Sequence, residues 1–177
     1  NKLHLQLIPP ELRENHGEIE YFSDNQNEIL GLVDYGDLKG DLHTHSDITD
    51  GTMSIKDMAS QAKNKFGLDY IAITDHTKSL RLVNGLNEKQ LLEQINKIQQ
   101  LNDVINESKA DTRFRIFSSA EVNILKDGTP DIANSVLDKL DIVGASIHSH
   151  FSLSKDIQTE RLVEAAKNPS IDILFHP

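Results

Sequence analysis

The sequence predicts an α/β fold built on a parallel sheet. Three observations carry this. From Leu38 onward, short apolar runs of strand length alternate with stretches of helical spacing. The runs are apolar without a polar face, as in strands covered on both sides. Each run also finishes in a histidine or a carboxylate, the position where parallel α/β folds carry their chemistry.

The elements follow in order. "DLHTHS" is the first strand. "SIKDMASQAKNKFG" places apolar residues at Ile55, Met58, Ala59, Ala62 and Phe66, which is helical spacing, with Ser54 as N-cap and Gly67 as the stop. "DYIAITDH" is a continuous apolar run and the second strand. "NEKQLLEQINKIQQLNDVINES" predicts a long amphipathic helix capped by Asn87. "FRIFSSAEVNIL" is the third strand. "PDIANSVLDKL" predicts a short helix with Pro130 in its first turn. "DIVGASIHS" is the fourth strand, "SKDIQTERLVEAAKN" a helix and "IDILFHP" the fifth strand. No internal repeat or low-complexity tract interrupts this order.

Residues 1–36 differ. They hold Pro9-Pro10, several polar clusters and scattered apolar residues. A proline pair blocks a helix before it and favours an extended approach. This region is expected to be a connector with a short helical piece near Ile29 to Val33, and residues 37–177 to be the functional domain.

Composition narrows the functions. The chain has 177 residues, enough for one domain of ordinary size, with 28 Asp and Glu against 18 Lys and Arg. An acidic balance argues against gripping nucleic acid by a broad basic face. It leaves room for a nucleic-acid enzyme, because bound divalent metals invert the local charge. With no cysteine, disulfides and thiolate metal sites are excluded, so any metal must sit on imidazole and carboxylate. No run approaches the ~20 apolar residues of a membrane span, and a cytoplasmic protein with no membrane partner is expected.

The polar residues at the strand ends form the candidate site. His43 and His45 share a face, because side chains two apart in a strand point the same way. Asp75 and His76 end the second strand, Glu121 falls late in the third, His148 ends the fourth and His176 the fifth. Each has a plainer reading. A histidine at a strand end is often structural or solvated. Asp50 sits in "TDG", which is good turn chemistry. Asp75 either caps a helix or supports a ligand. Glu121 is harder to explain as structure, since a carboxylate after an apolar run is costly unless paired or metal-bound. The joint pattern, with Asp50 beyond the first strand, points to one rim. His4 and His16 fall in the connector, and His150 follows His148 where the strand is already ending. Lys78 and Arg81 lie beside the rim, either solvated or placed to meet a substrate phosphate.

These stretches resemble a known family. "DLHTHS…DG", "AITDH", "AEVNIL", "ASIHS" and "FHP" are similar to the motifs of the PHP family, named for polymerase and histidinol phosphatase. "IPPELRENHGEIE", "GDLHTHSDITDGTMSI", "AITDHTKSLRLVNGL" and "NPSIDILFHP" resemble the PHP domain at the C-terminus of bacterial family X (DNA polymerase beta-like) DNA polymerases. The resemblance spans essentially the whole chain. It implies a distorted (β/α)7 barrel holding up to three divalent metals, Mn or Zn, with Fe also compatible. It implies that His43, His45 and Glu121 serve a first metal, that Glu121 bridges to a second held by His148 and His176, and that Asp50 and His76 serve a third. Glu121, Asp75 and Arg81 are the expected catalytic residues. The implied reaction is in-line phosphoester hydrolysis, a 3′–5′ exonuclease or 3′-end processing activity in DNA repair synthesis. Its partners would be DNA 3′ ends and the polymerase core of the same parent chain. A histidinol-phosphatase-like small-molecule phosphomonoesterase, and a silent domain that docks the polymerase core, are the alternatives.

The family completes its first and third sites with a late Asp-x-His, which this sequence lacks before Pro177. The barrel is therefore expected to be truncated after about five βα units. Weak occupancy of the first and third sites and reduced hydrolysis follow from that expectation. So does association through the apolar edge at Ile171 to Phe175.

Overall fold

The computed structural model describes residues 8–24, 32–107 and 114–177. They fall in two compact units, Asn1–Asp37 and Leu38–Pro177.

In the first unit Pro9 is extended and a single 3-10 turn, Pro10–Leu12, begins at the second proline, whose missing N–H costs nothing there. A helix, α1 (Glu18–Asp24), follows. The Glu18 carboxylate accepts the backbone N–H groups of Asn15 and His16, each at 2.7 Å. This helix differs from the sequence expectation, which places a short helical piece near Ile29 to Val33. Residues 29–31 lie outside the described residues, and Leu32 and Val33 are not helical.

The second unit runs β1 (Gly40–Thr44), α2 (Ile55–Asn64), β2 (Tyr70–Ile73), α3 (Glu88–Glu107), β3 (Arg115–Asn123), α4 (Asn134–Leu137), β4 (Ile142–Ser146), α5 (Lys155–Ala166) and β5 (Ile173–Leu174). All neighbours pair parallel, in the order β1-β2-β3-β4-β5. Because the order never reverses, right-handed crossovers put every helix on the same face. The core agrees. Ile71, Ile73 and Ile116 pack with Ile55, Ala59 and Ala62 of α2 and Ile98 of α3. Further along the sheet, Ala120, Val122, Val143 and Ala145 pack with Leu91, Leu137 and Ala165. The alternate residues, Glu121 and Asn123 among them, point to the opposite face.

That opposite face is concave. In a flat sheet β1 and β5, four steps apart, would be separated by about 19 Å. Instead the ring of His43 on β1 stacks on that of Phe175, just after β5, with centroids 4.1 Å apart and 11° between planes. Gly144 on β4 allows this, since a Cβ there would enter the Phe175 ring. Five parallel strands curled in this way, with helices outside, are the α/β architecture the sequence predicts, part of a barrel wall.

The expected caps are present. Ser54 Oγ accepts the N–H of Asp57 at 3.2 Å, and Asn87 and Gln90 exchange side-chain and backbone bonds at 3.1 and 3.0 Å, a capping box. Three boundaries differ. Phe66 is not a core residue of α2; its N–H turns back to the Gln61 carbonyl, and it is exposed ahead of left-handed Gly67. The helix expected from Pro130 is only Asn134–Leu137, because Asp131 is drawn into bonds with Thr77, Ser79 and Asn123 and Pro130 bridges to Ile124. Strand β5 is only Ile173–Leu174, although Asp172 N–H and Phe175 N–H continue the bonding to Val143 and Ala145. Among the described residues no helix is long and apolar enough to cross a membrane.

Candidate metal centre

Glu121 is the fixed point of the concave face. It lies on β3, two residues from the strand end, and is 1% exposed. Around Oε2 stand His43 Nε2 at 3.3 Å, His45 Nε2 at 3.4 Å and His76 Nδ1 at 3.2 Å. Around Oε1 stand His176 Nε2 at 2.7 Å and His148 Nε2 at 3.3 Å, and Ser146 Oγ donates to it at 2.5 Å. Asp50 closes the group from outside: Oδ1 is 3.4 Å from His45 Nδ1 and Oδ2 is 3.3 Å from His76 Nε2. The fold therefore brings together the residues expected at one rim: His43, His45, Asp50, His76, Glu121, His148 and His176.

The parallel order explains the convergence. β3 is central, so its carboxylate is flanked by the ends of β2 and β4 and reached by β1 and β5 through the curl. His76 pairs with Glu121 as an isolated parallel bridge. Asp50 is held by a tight loop in which Gly51 N–H and Thr49 N–H both bond to the Ser46 carbonyl. A Cβ at Gly51 would enter the His45 carbonyl, so the close approach requires glycine.

Asp75 does not face the histidines. Fully buried, it accepts from Ser46 N–H at 2.7 Å, Ser46 Oγ at 2.6 Å, Thr49 Oγ1 at 2.7 Å and Gln94 Nε2 at 2.5 Å. It thus anchors the loop that carries Asp50, a supporting role in place of the catalytic one expected of it from the sequence.

Electrostatics favour a cation. Burial would push the Glu121 carboxyl up, but the surrounding imidazoles and the Ser146 hydroxyl outweigh it and hold it well below the ordinary carboxylate range. Burial pushes His76 down from its ordinary value against the pull of Glu121. Among the described residues His45 Nδ1 and His76 Nδ1 are buried and form no hydrogen bond of normal geometry, although Asp50 Oδ1 and Glu121 Oε2 lie 3.4 and 3.2 Å away, a condition that costs roughly 1–3 kcal/mol for a polar atom. An imidazole and carboxylate donor set with orphaned ring nitrogens fits a divalent ion. Two triads have ligand atoms within 4.8 Å of one another: His43, Glu121 and His176, and His45, His76 and Glu121. This grouping cuts across the division that the family resemblance implies, in which His43 goes with His45 and His148 with His176. Both groups include Glu121.

Other candidates stand apart. Arg81 is exposed on a 3-10 turn, Arg81–Val83, and no polar contact among the described residues ties it to Glu121. Lys78 is engaged by Glu88 at 2.5 Å. His150 is exposed and left-handed (φ 57°), with its carbonyl taken by Gln158 Nε2 at 2.8 Å. His16 lies exposed in the first unit, and His4 is outside the described residues.

The sequence reading missed the polar residues beneath the centre. Asn123 Oδ1 meets His148 Nδ1 at 2.9 Å, and Asp131 binds Asn123 Nδ2 at 2.9 Å. Arg161, 2% exposed, donates to the carbonyls of Leu125 (2.7 Å), Ser149 (2.8 Å) and Ile124, which ties the loops after β3 and β4 together. The "EVN" triplet held a signal for Asn123, since period 2 puts it on the same face as Glu121.

The chain is similar in sequence to known proteins. The family model described as PHP domain matches residues 41–139. A Bacillus subtilis (strain 168) protein named DNA polymerase/3′-5′ exonuclease PolX is 43% identical over 173 residues, covering 98% of this chain and 28% of that protein. A probable phosphatase of Thermoanaerobacter sp. (strain X514) is 35% identical over 147 residues, covering 77% of this chain and 53% of that protein. One from Syntrophotalea carbinolica is 31% identical over 141 residues, covering 77% and 53%. The chain thus spans about half or less of the length of these relatives.

Proposed function

The chain belongs to the PHP domain family, and on that premise we propose that residues 37–177 form a metal-dependent phosphoester hydrolase domain. Its substrate in this reading is the DNA 3′ end, hydrolysed as the 3′–5′ exonuclease or end-processing part of a family X DNA polymerase in repair synthesis. One observation carries the reading: a buried, ionised Glu121 ringed by the imidazoles of His43, His45, His76, His148 and His176.

These residues and Asp50 would hold up to three divalent ions, Mn or Zn, with Fe also compatible. Such an ion supplies Lewis acidity toward a phosphoryl oxygen and acidifies water at neutral pH. The chain itself supplies placement. Glu121 offers one oxygen to each half of the histidine ring. Asp75 sets the Asp50 loop. Arg81, exposed on its turn, is assigned to a substrate phosphate outside the centre.

The likeness to the B. subtilis polymerase runs through 98% of this chain, whereas the likeness to the phosphatases leaves about a quarter unmatched. That difference supports reading residues 1–36 as a connector to a polymerase core, and DNA as the substrate. A cytoplasmic location goes with it. The phosphatase relatives favour a second reading, a small-molecule phosphomonoesterase. The third is a domain that only docks the core.

The test sets the full-length gene product beside this chain, each with Mn²⁺ and a 3′-labelled oligonucleotide or a small phosphomonoester. Stepwise release of nucleotides by the full-length protein, lost in Glu121→Gln, is expected. Hydrolysis of the small ester alone would replace the DNA reading with the second, and hydrolysis of neither would leave the docking role.

A further inference from the structure

We propose that Asn123 is a positioning residue that fixes the tautomer of His148, so that its Nε2 presents a lone pair to the cation beside Glu121. The inference rests on the metal-centre reading and adds a residue to it.

The orientation of the Asn123 side chain follows from its neighbours. Its Nδ2 end is surrounded by acceptors: the Thr77 carbonyl at 3.2 Å, Thr77 Oγ1 at 3.0 Å and Asp131 Oδ2 at 2.9 Å. Thr77 has one hydroxyl proton, and it goes to Asp131 Oδ1 at 2.6 Å, so toward Asn123 the oxygen can only accept. An ionised carboxylate only accepts, and a carbonyl only accepts. Turning the amide over would set its oxygen against three other oxygens in a buried site, so the network assigns NH₂ to that end. The acidic member is itself held: Asp131 also takes the backbone N–H of Asn123 at 3.0 Å and of Ser79 at 2.8 Å.

The other end of the amide is then an acceptor, and it meets His148 Nδ1 at 2.9 Å. Nδ1 must carry the proton. In the neutral ring this leaves Nε2 as the lone-pair nitrogen, and Nε2 is the atom 3.3 Å from Glu121 Oε1. Two electron-rich atoms facing each other at that distance repel unless a cation lies between them. The chain Ser79–Asp131–Thr77–Asn123–His148 therefore runs from the loop after β2 through β3 to the centre, and holds one ring nitrogen ready for a cation before any arrives. His148 follows two residues after Ser146, the residue of β4 that pairs with Asn123 of β3, so register brings the two side chains together.

The test reads the tautomer directly. Long-range ¹H–¹⁵N correlation on the metal-free chain, at a pH above the imidazole range, is expected to show His148 with its proton on Nδ1. A proton on Nε2 in the wild-type chain would overturn the proposal, and no variant is needed for that result. In Asn123→Leu the proton should move to Nε2 and affinity for Zn²⁺ or Mn²⁺ should fall about 10- to 100-fold. Unchanged tautomer and affinity in Asn123→Leu would refute the role. The tautomer is observed without metal or substrate, so it stands or fails independently of hydrolysis.

Discussion

Gln94, in the middle of α3, donates its side-chain amide to Asp75 at 2.5 Å, although both are buried. Through Asp75 the bond links a helix on the outer face of the sheet to the loop that carries Asp50. Asp75 fills its remaining capacity with Ser46 and Thr49. Changing Asp75 to Asn sets an NH₂ group against donors, and is expected to cost about 2–3 kcal/mol in urea unfolding. The loosened Asp50 loop should also weaken Mn²⁺ binding. An Asp75→Asn chain as stable as wild type would show that these bonds are not formed in solution.

Gly144 is where packing and site meet. A Cβ there collides with the Phe175 ring, on which His43 is stacked. Gly144→Ala is expected to lower stability by about 1–3 kcal/mol, measured by thermal unfolding, and to lower metal affinity through the displaced His43. An unchanged melting temperature would contradict the close approach.

Arg161 is buried with no carboxylate partner among the described residues and satisfies carbonyls of Ile124, Leu125 and Ser149. Burial pushes its guanidinium down from its ordinary value. Arg161→Met leaves those carbonyls unpaired and should destabilise the chain by about 3 kcal/mol or more. Arg161→Lys, which cannot reproduce the fork, should recover only part of this in the same denaturation experiment.

What the sequence made legible was what lies at element ends. Apolar runs ending in His76, Glu121, His148 and His176 marked both the strands and the rim, because parallel strands in sequential order place like ends together. Ser54 and Asn87 marked helix starts by local chemistry. Bonds between distant residues stayed hidden. Thr77 and Asp131 are 54 residues apart, and this bond is why α4 starts late. Arg161 lies on a helix rich in charge, and nothing in its local sequence signals the distant carbonyls it reaches. The α1 helix sits in a stretch whose few apolar residues hold no extended periodicity, so it read as connector.

The central claim is that Glu121 organises a cation site from histidines of the neighbouring strands. Calorimetric titration of Mn²⁺ into the purified chain, wild type against Glu121→Gln, tests it most directly. The expected result is saturable binding by wild type and affinity at least about 100-fold weaker in the variant, beyond what a supporting residue alone would cost. Equal binding by the two chains, or no binding by wild type, would contradict it.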